Sequence, residues 1–201
     1  MRENIAIFAS GNGSNFEALA RAFKNNKIKA RLAFLLCDKS DAFVLKRAQK
    51  LKVRAILIVR SDFSTREDFE RAISYSLEEE GINFIVLAGF MRLLSPKFVR
   101  KYKNRIINIH PSLLPAFKGA HAIKDAFESG AKTTGVTVHF VEEPVDSGPI
   151  ILQETLDIKN TDTLLTLENR IHCLEHKIYP KAVSLLVNGK LKITGRKVIV
   201  S

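Results

Sequence analysis

The chain has 201 residues, 46% of them hydrophobic, and reads as one well-filled globular domain over residues 1–201. No run is long enough to span a bilayer, and the apolar part of the N-terminal MRENIAIFAS is too short for a secretory leader, so a cytoplasmic protein with no membrane partner is expected. The formal charge of +11 fits either an acidic partner, nucleic acid or a phosphorylated or carboxylated small molecule, or a soluble lysine-rich surface, and the second accounts for most of it; in the basic stretches 21–31, 92–105 and 190–197 the aromatics are not interleaved as a base-stacking platform requires, so no nucleic-acid partner is expected.

The short apolar run at 4–9 predicts a buried strand, and apolar residues at helical spacing over 15–26 predict a helix behind it. Strand at 31–37, helix at 41–51, strand at 54–59 and helix at 65–80 follow, the last ended by Gly81. Strands are expected at 83–90 and 105–110, with a short helix after Pro96 between them. Beyond residue 110 a proline-punctuated loop leads to a helix at 122–130 and an alternating, half-exposed strand at 134–141. That strand is free to pair with 148–158. A long helical pattern covers 163–189, with a kink or break expected at Pro180, and 190–193 and 197–200 form a closing hairpin. Strand–helix alternation with continuous apolar strands gives an α/β fold: a Rossmann-like, mostly parallel sheet with helices on both faces and antiparallel strands toward the C-terminal half. Cys37 and Cys173 stand far apart in apolar contexts and are expected as reduced core thiols; no metal-ligand spacing occurs.

The stretch SGNGSN, residues 10–15, joins the first strand to its helix, where open α/β sheets bind ligands. Backbone N–H groups and the helix dipole favour an anion there. Gly11 and Gly13 permit a tight turn, and Ser14 and Asn15 offer side-chain donors, one of which is free to cap the helix. A dinucleotide fingerprint needs a third glycine where Phe16 stands, although Asp38 lies near the position of a ribose-binding acid. A nucleoside-triphosphate loop needs Gly-Lys-Ser/Thr, which is missing. A single phosphate on a smaller substrate, or a turn with no ligand, both remain compatible with the pattern.

Asn108 and His110, two apart on a strand that ends at Pro111, share one face about 7 Å apart. An amide donor beside an imidazole suits acyl-type transfer, the amide stabilising an oxyanion and the imidazole moving a proton. No Ser or Cys lies in a nucleophile-elbow context, which favours direct attack by a substrate amine. His110 needs an orienting carboxylate. Asp146, in the loop EEPVDSGPI, is one candidate, with Glu142 and Glu143 as competitors.

The segments SGNGSN (10–15), KSDAF (39–43), VLAGFMRLLSP (86–96), NIHPSLLPAFKG (108–119), HFVEEPVDSGPIILQ (139–153) and EHKIYP (175–180) occur in the order seen in the phosphoribosylglycinamide formyltransferases, and the chain resembles that family over nearly its whole length. The resemblance implies two substrates, glycinamide ribonucleotide and 10-formyltetrahydrofolate as formyl donor, with no metal. It implies that Gly13, Ser14 and Asn15 hold the ribonucleotide phosphate and that Glu175 engages its amine. It makes Asn108, His110 and Asp146 the catalytic trio. It assigns Arg66, Met91, Arg92, Leu93, Leu94, Glu142 and Glu143 to the folate site. Ala120 stands where the family often carries a larger apolar residue, and the chain is more basic than the family pattern.

Formyltetrahydrofolate hydrolase and methionyl-tRNA formyltransferase share parts of this pattern. The first adds an N-terminal domain and the second a C-terminal barrel. Neither is expected here, with the first strand beginning by residue 4 and a short tail after the long helix. A basic nucleic-acid-binding module would leave Asn108 and His110 idle, and a nicotinamide-dependent oxidoreductase would need the missing glycine. Monomer and homodimer are both compatible with the sequence.

Overall fold

The computed structural model describes residues 2–201, in two compact units that meet in sequence at Ile107/Asn108. The first unit alternates strand and helix. It contains β1 (Asn4–Ala9), α1 (Ser14–Lys24), β2 (Arg31–Cys37), α2 (Phe43–Leu51), β3 (Ala55–Leu57), α3 (Arg66–Glu79), β4 (Phe84–Leu87) and α4 (Pro96–Lys101). β1 pairs in parallel with β2 on one side and β4 on the other, and β2 pairs in parallel with β3. Ile5 to Ala9 of β1 and Phe34 to Cys37 of β2 are fully buried, as expected of strands covered on both faces. Each large aliphatic side chain so buried contributes about 1.5–3 kcal/mol.

β5 (Ile106–His110) ends the first unit and opens the second. The second unit continues with α5 (Ala122–Glu128), β6 (Thr133–Phe140), β7 (Ile150–Asp157), α6 (Leu164–Val187), β8 (Leu191–Thr194) and β9 (Lys197–Val200). The strands are ordered β3-β2-β1-β4-β5-β6-β7 in a seven-stranded sheet, and β8 and β9 form a separate hairpin. β6 and β7 are antiparallel, with Val136 opposite Glu154 and Val138 opposite Leu152.

Three local expectations are corrected. β6 is buried from Thr134 to Phe140 and is not half-exposed; the alternation falls on its partner β7. α6 covers β6, and β6 has the longer buried run because it is the interior strand of the pair. α6 also passes through Pro180 without the break that was one of the two outcomes expected there, held on both sides of the proline by buried Ile178, Tyr179, Ala182 and Val183. Packing of an apolar face overrides the local cost of the ring. Cys37 is a buried thiol whose pKa burial raises, but Cys173 is exposed on α6 and is not part of the core.

Candidate active site

The loop after β5 is fastened to β6 and β7 by buried polar groups. Thr137 donates its hydroxyl to the Ser112 carbonyl at 2.6 Å and accepts from the Leu114 N–H at 3.1 Å. Gln153 donates to the Leu114 carbonyl at 3.0 Å. Residues 112–114 are thereby fixed, and a few positions on the Phe117 carbonyl accepts from His110 Nε2 at 2.8 Å. A carbonyl only accepts, so Nε2 carries hydrogen and Nδ1 is the nitrogen turned toward Asp146. The Nδ1–Oδ2 separation is 3.5 Å, with side-chain exposures of 6% and 7%, so solvent screens the pair little. The same Oδ2 accepts the Gly119 N–H at 3.1 Å. Of the three acids in the loop, Asp146 is therefore the one set against His110.

His139, which sequence reasoning missed, stands beside this pair. Its Nδ1 lies 2.8 Å from the Phe140 carbonyl and must donate to it. Nε2 then carries the lone pair and faces Asn108 Nδ2 at 3.5 Å and Asp146 Oδ1 at 3.7 Å. Burial pushes the His139 pKa below its ordinary value, against the opposing pull of the Phe140 carbonyl and Asp146. The shift favours the neutral ring, in which the approach to Asp146 is not an ion pair. That ring offers Asn108 an acceptor for one amide hydrogen and leaves the second for a ligand oxygen. His139 heads the segment HFVEEPVDSGPIILQ, but neither strand alternation nor spacing marked it as a site residue; the fold brings it to Asn108.

That burial makes stability depend on pH. The folded state binds fewer protons at His139 than the unfolded chain. The stabilisation is present above the ordinary value of 6.5 and is lost as pH falls through the lower folded value. His139→Asn keeps a donor for Phe140 and removes the titration. Its urea midpoint is expected to change less than wild type's between about pH 7 and 5. Equal slopes in the two proteins would refute the assignment.

In the first unit, the Gly11–Asn15 turn precedes α1. Gly13 is the residue before the helix, at φ 77, and no side chain caps the end; the expected Ser14 or Asn15 cap does not form because both already lie within α1. The leading N–H groups of a helix lack intrahelical partners, which is the feature an anion site uses. Arg47 of α2 holds the turn from behind, donating to the Asn12 carbonyl and to Asn12 Oδ1 at 2.8 Å each, and pairs with Glu17. Arg47 also escaped the sequence reading, lying 35 residues away from Asn12.

The segment Met91–Leu94 follows β4 as a loop and is anchored at three points. Ser10 accepts the Met91 N–H at 2.9 Å, buried Asp38 holds Arg92 at 2.7 Å, and Arg66 donates to the Leu93 carbonyl. Buried Glu70 in turn holds Arg66 at 3.3 Å and accepts the Ser95 N–H at 2.6 Å. Met91 and Leu93 are 69% and 67% exposed, an apolar surface suited to a flat aromatic ligand. Asp38 thus engages Arg92 through one carboxylate oxygen, Oδ2. Glu142 is half-buried and Glu143 exposed, on the loop that carries Asp146.

In α6 of the second unit, Glu175 is 3% exposed, and His172 Nδ1 lies 2.9 Å from its Oε2. That hydrogen bond raises the His172 pKa, against partial burial. The linkage has the opposite sign to that of His139: it stabilises the fold below the ordinary value and is lost as pH rises through the higher folded value. No group of three or more metal-ligating side chains occurs among the described residues.

The second unit thus holds an Asn–His–Asp cluster, and the first unit a glycine-led turn before α1 and an exposed apolar loop at 91–94. A Formyl transferase family model matches residues 3–183. The chain belongs to the phosphoribosylglycinamide formyltransferase family. It is 44% identical over 185 residues to the phosphoribosylglycinamide formyltransferase of Bacillus subtilis (strain 168), covering 92% of this chain and 95% of that one. It is 40% identical to the Escherichia coli (strain K12) phosphoribosylglycinamide formyltransferase, over 94% of this chain and 90% of that one. The crystal structure of glycinamide ribonucleotide transformylase 1 from Symbiobacterium toebii matches with a TM-score of 0.96 at 40% identity, covering 99% and 94% of the two chains. No helix among the described residues is long and apolar enough to cross a membrane.

Proposed function

We propose that this chain transfers the formyl group of 10-formyltetrahydrofolate to the amine of 5'-phosphoribosylglycinamide in purine biosynthesis, yielding formylglycinamide ribonucleotide and tetrahydrofolate. The observation that carries the reading is the His110–Asp146 pair at 3.5 Å with Asn108 in the same cluster, in a member of this family. The free cysteines support a cytosolic location.

The amine nitrogen attacks the formyl carbon, a C–N bond forms, and the carbonyl electrons move to oxygen. The free amide hydrogen of Asn108 and His110 Nε2–H are the donors for that oxyanion; one such donor contributes roughly 10²–10³-fold in rate. Nε2 is engaged by the Phe117 carbonyl in the free protein, so the substrate oxygen has to take that carbonyl's place. A proton on Nδ1 makes His110 and Asp146 an ion pair that holds the ring while negative charge develops. Collapse of the adduct breaks the carbon–N10 bond of the folate, and the proton lost by the attacking amine ends on N10. Holding the two substrates in register supplies up to about 7–11 kcal/mol in the ideal case.

The glycine-led turn at the N-terminus of α1, with Gly13 before the helix and Ser14 and Asn15 opening it, supports the phosphate role for that turn. The buried carboxyl of Glu175, oriented by His172, supports the amine-engaging role implied for it. Exposed Met91 and Leu93, with the backbone of Arg92 and Leu94, support the pterin role for that segment. Arg66 offers a cation to the folate carboxylates, and Glu142 and Glu143 border the folate from the Asp146 loop.

The test is an absorbance time course on mixing the protein with 10-formyltetrahydrofolate, with and without glycinamide ribonucleotide. Tetrahydrofolate release that requires the ribonucleotide is expected. Release without acceptor would identify a hydrolase, and no release from folded protein would overturn the reading.

A further inference from the structure

The loop 142–148 that carries Asp146 is held from several directions. At its end, Gly148 approaches Phe140 so closely that a Cβ there would lie 1.9 Å from the Phe140 carbonyl oxygen. Asp146 has φ 52, in the left-handed region that non-glycine residues occupy only when their surroundings enforce it. Ser147 turns its hydroxyl back to the Pro144 carbonyl. Its own carbonyl accepts a hydrogen bond from outside the loop, from Arg196 Nη2 at 2.7 Å.

Arg196 is placed there by the C-terminal hairpin. β8 and β9 are joined by Gly195-Arg196, with Gly195 at φ 59 supplying the positive-φ residue that a two-residue hairpin turn needs. β9 rests against β7, so the hairpin is seated on the strand immediately C-terminal to the loop. The loop and the hairpin tip line a shared cavity of about 510 Å³, with Asp146 and Ser147 contributed by the loop and Arg196, Lys197 and Val198 by the hairpin. Across that hollow, the guanidinium–carbonyl bond joins the two.

We propose that the β8–β9 hairpin is a clasp on the catalytic loop and that Arg196 is a positioning residue for Asp146. By fixing the carbonyl of the residue next to Asp146, Arg196 holds the backbone turn that aims the carboxylate at His110. The inference rests on the catalytic role proposed for Asp146.

Steady-state kinetics of full-length Arg196→Ala, Arg196→Lys, Lys197→Ala and Asp146→Asn test it. Arg196→Ala is expected to lower kcat roughly two- to tenfold, the effect of one hydrogen bond, with KM for the ribonucleotide unchanged. Arg196→Lys retains a donor and recovers part of the loss. Lys197→Ala, which removes a cation from the same cavity, behaves as wild type. The ring resonances of His110 shift in Arg196→Ala and not in Lys197→Ala. Wild-type kcat in Arg196→Ala beside a crippled Asp146→Asn overturns the clasp and leaves the catalytic reading standing. Wild-type kcat in both overturns the catalytic reading itself. An equal loss in Lys197→Ala, or no rescue by lysine, assigns the effect to charge or folding and also overturns the clasp.

Discussion

Asp146→Asn is expected to lose kcat by roughly 10²–10⁴-fold, the usual weight of general acid–base assistance. At 1.36 kcal/mol per tenfold this is about 3–5 kcal/mol of transition-state stabilisation. The substitution isolates the charge. Asparagine tolerates the left-handed backbone that Asp146 adopts at φ 52, and its side-chain oxygen still accepts the Gly119 N–H. What is removed is the negative charge 3.5 Å from His110 Nδ1, in a place too buried for water to replace it. KM for both substrates is expected to stay within a few-fold and the melting temperature near wild type. A melt, then kcat and KM for each substrate, check this. A kcat within a factor of two of wild type would sink the assignment of Asp146. Asp146→Ala, by contrast, adds backbone strain to the loss of charge, so its melting temperature falls as well.

The strand–helix alternation made the first unit legible in the sequence, because each strand there is a continuous apolar run with a helical pattern behind it. The site was legible where its residues sit at strand ends. Asn108 and His110 are two apart on β5, and their shared role follows from the period of a strand. From spacing alone Asp146 was one of three acids; the resemblance chose it, and the physical grounds for the choice, its approach to His110 and its contact with Gly119, are encoded in no spacing. His139 and Arg47 were not legible at all. One lies on a strand that reads as ordinary alternating sequence, and the other on a helix whose arginine reads as surface charge. Both act through contacts between segments far apart in the chain. Burial of β6 and exposure of Cys173 failed for the same reason: local hydropathy does not say which neighbour covers a residue.

Gly13→Ala is expected to destabilise the protein by about 2–5 kcal/mol, a sum of left-handed strain near 1–2 and overpacking of 1–3. The strain arises because Gly13 sits at φ 77, and the overpacking because a Cβ would lie 2.4 Å from Val44 Cγ2. For a chain of this size that lowers the melting temperature by roughly 4–20 °C. Gly13 is therefore required by the packing of α2 against the turn whether or not a phosphate binds, and its presence in the motif is weak evidence of a ligand. Gly11 separates the two causes. A Cβ on Gly11 meets nothing within 4 Å, and its φ lies outside the left-handed region. Gly11→Ala is expected to melt within about 1–2 °C of wild type, as a surface substitution does. If the ribonucleotide phosphate lies against this turn, the added methyl intrudes on its approach, and KM for the ribonucleotide rises while KM for the folate does not. Thermal melts and two-substrate kinetics on both variants decide the matter. A Gly11→Ala protein with both KM values unchanged would move the phosphate away from the turn, and a Gly13→Ala protein as stable as wild type would show that Val44 yields where the structure holds it fixed.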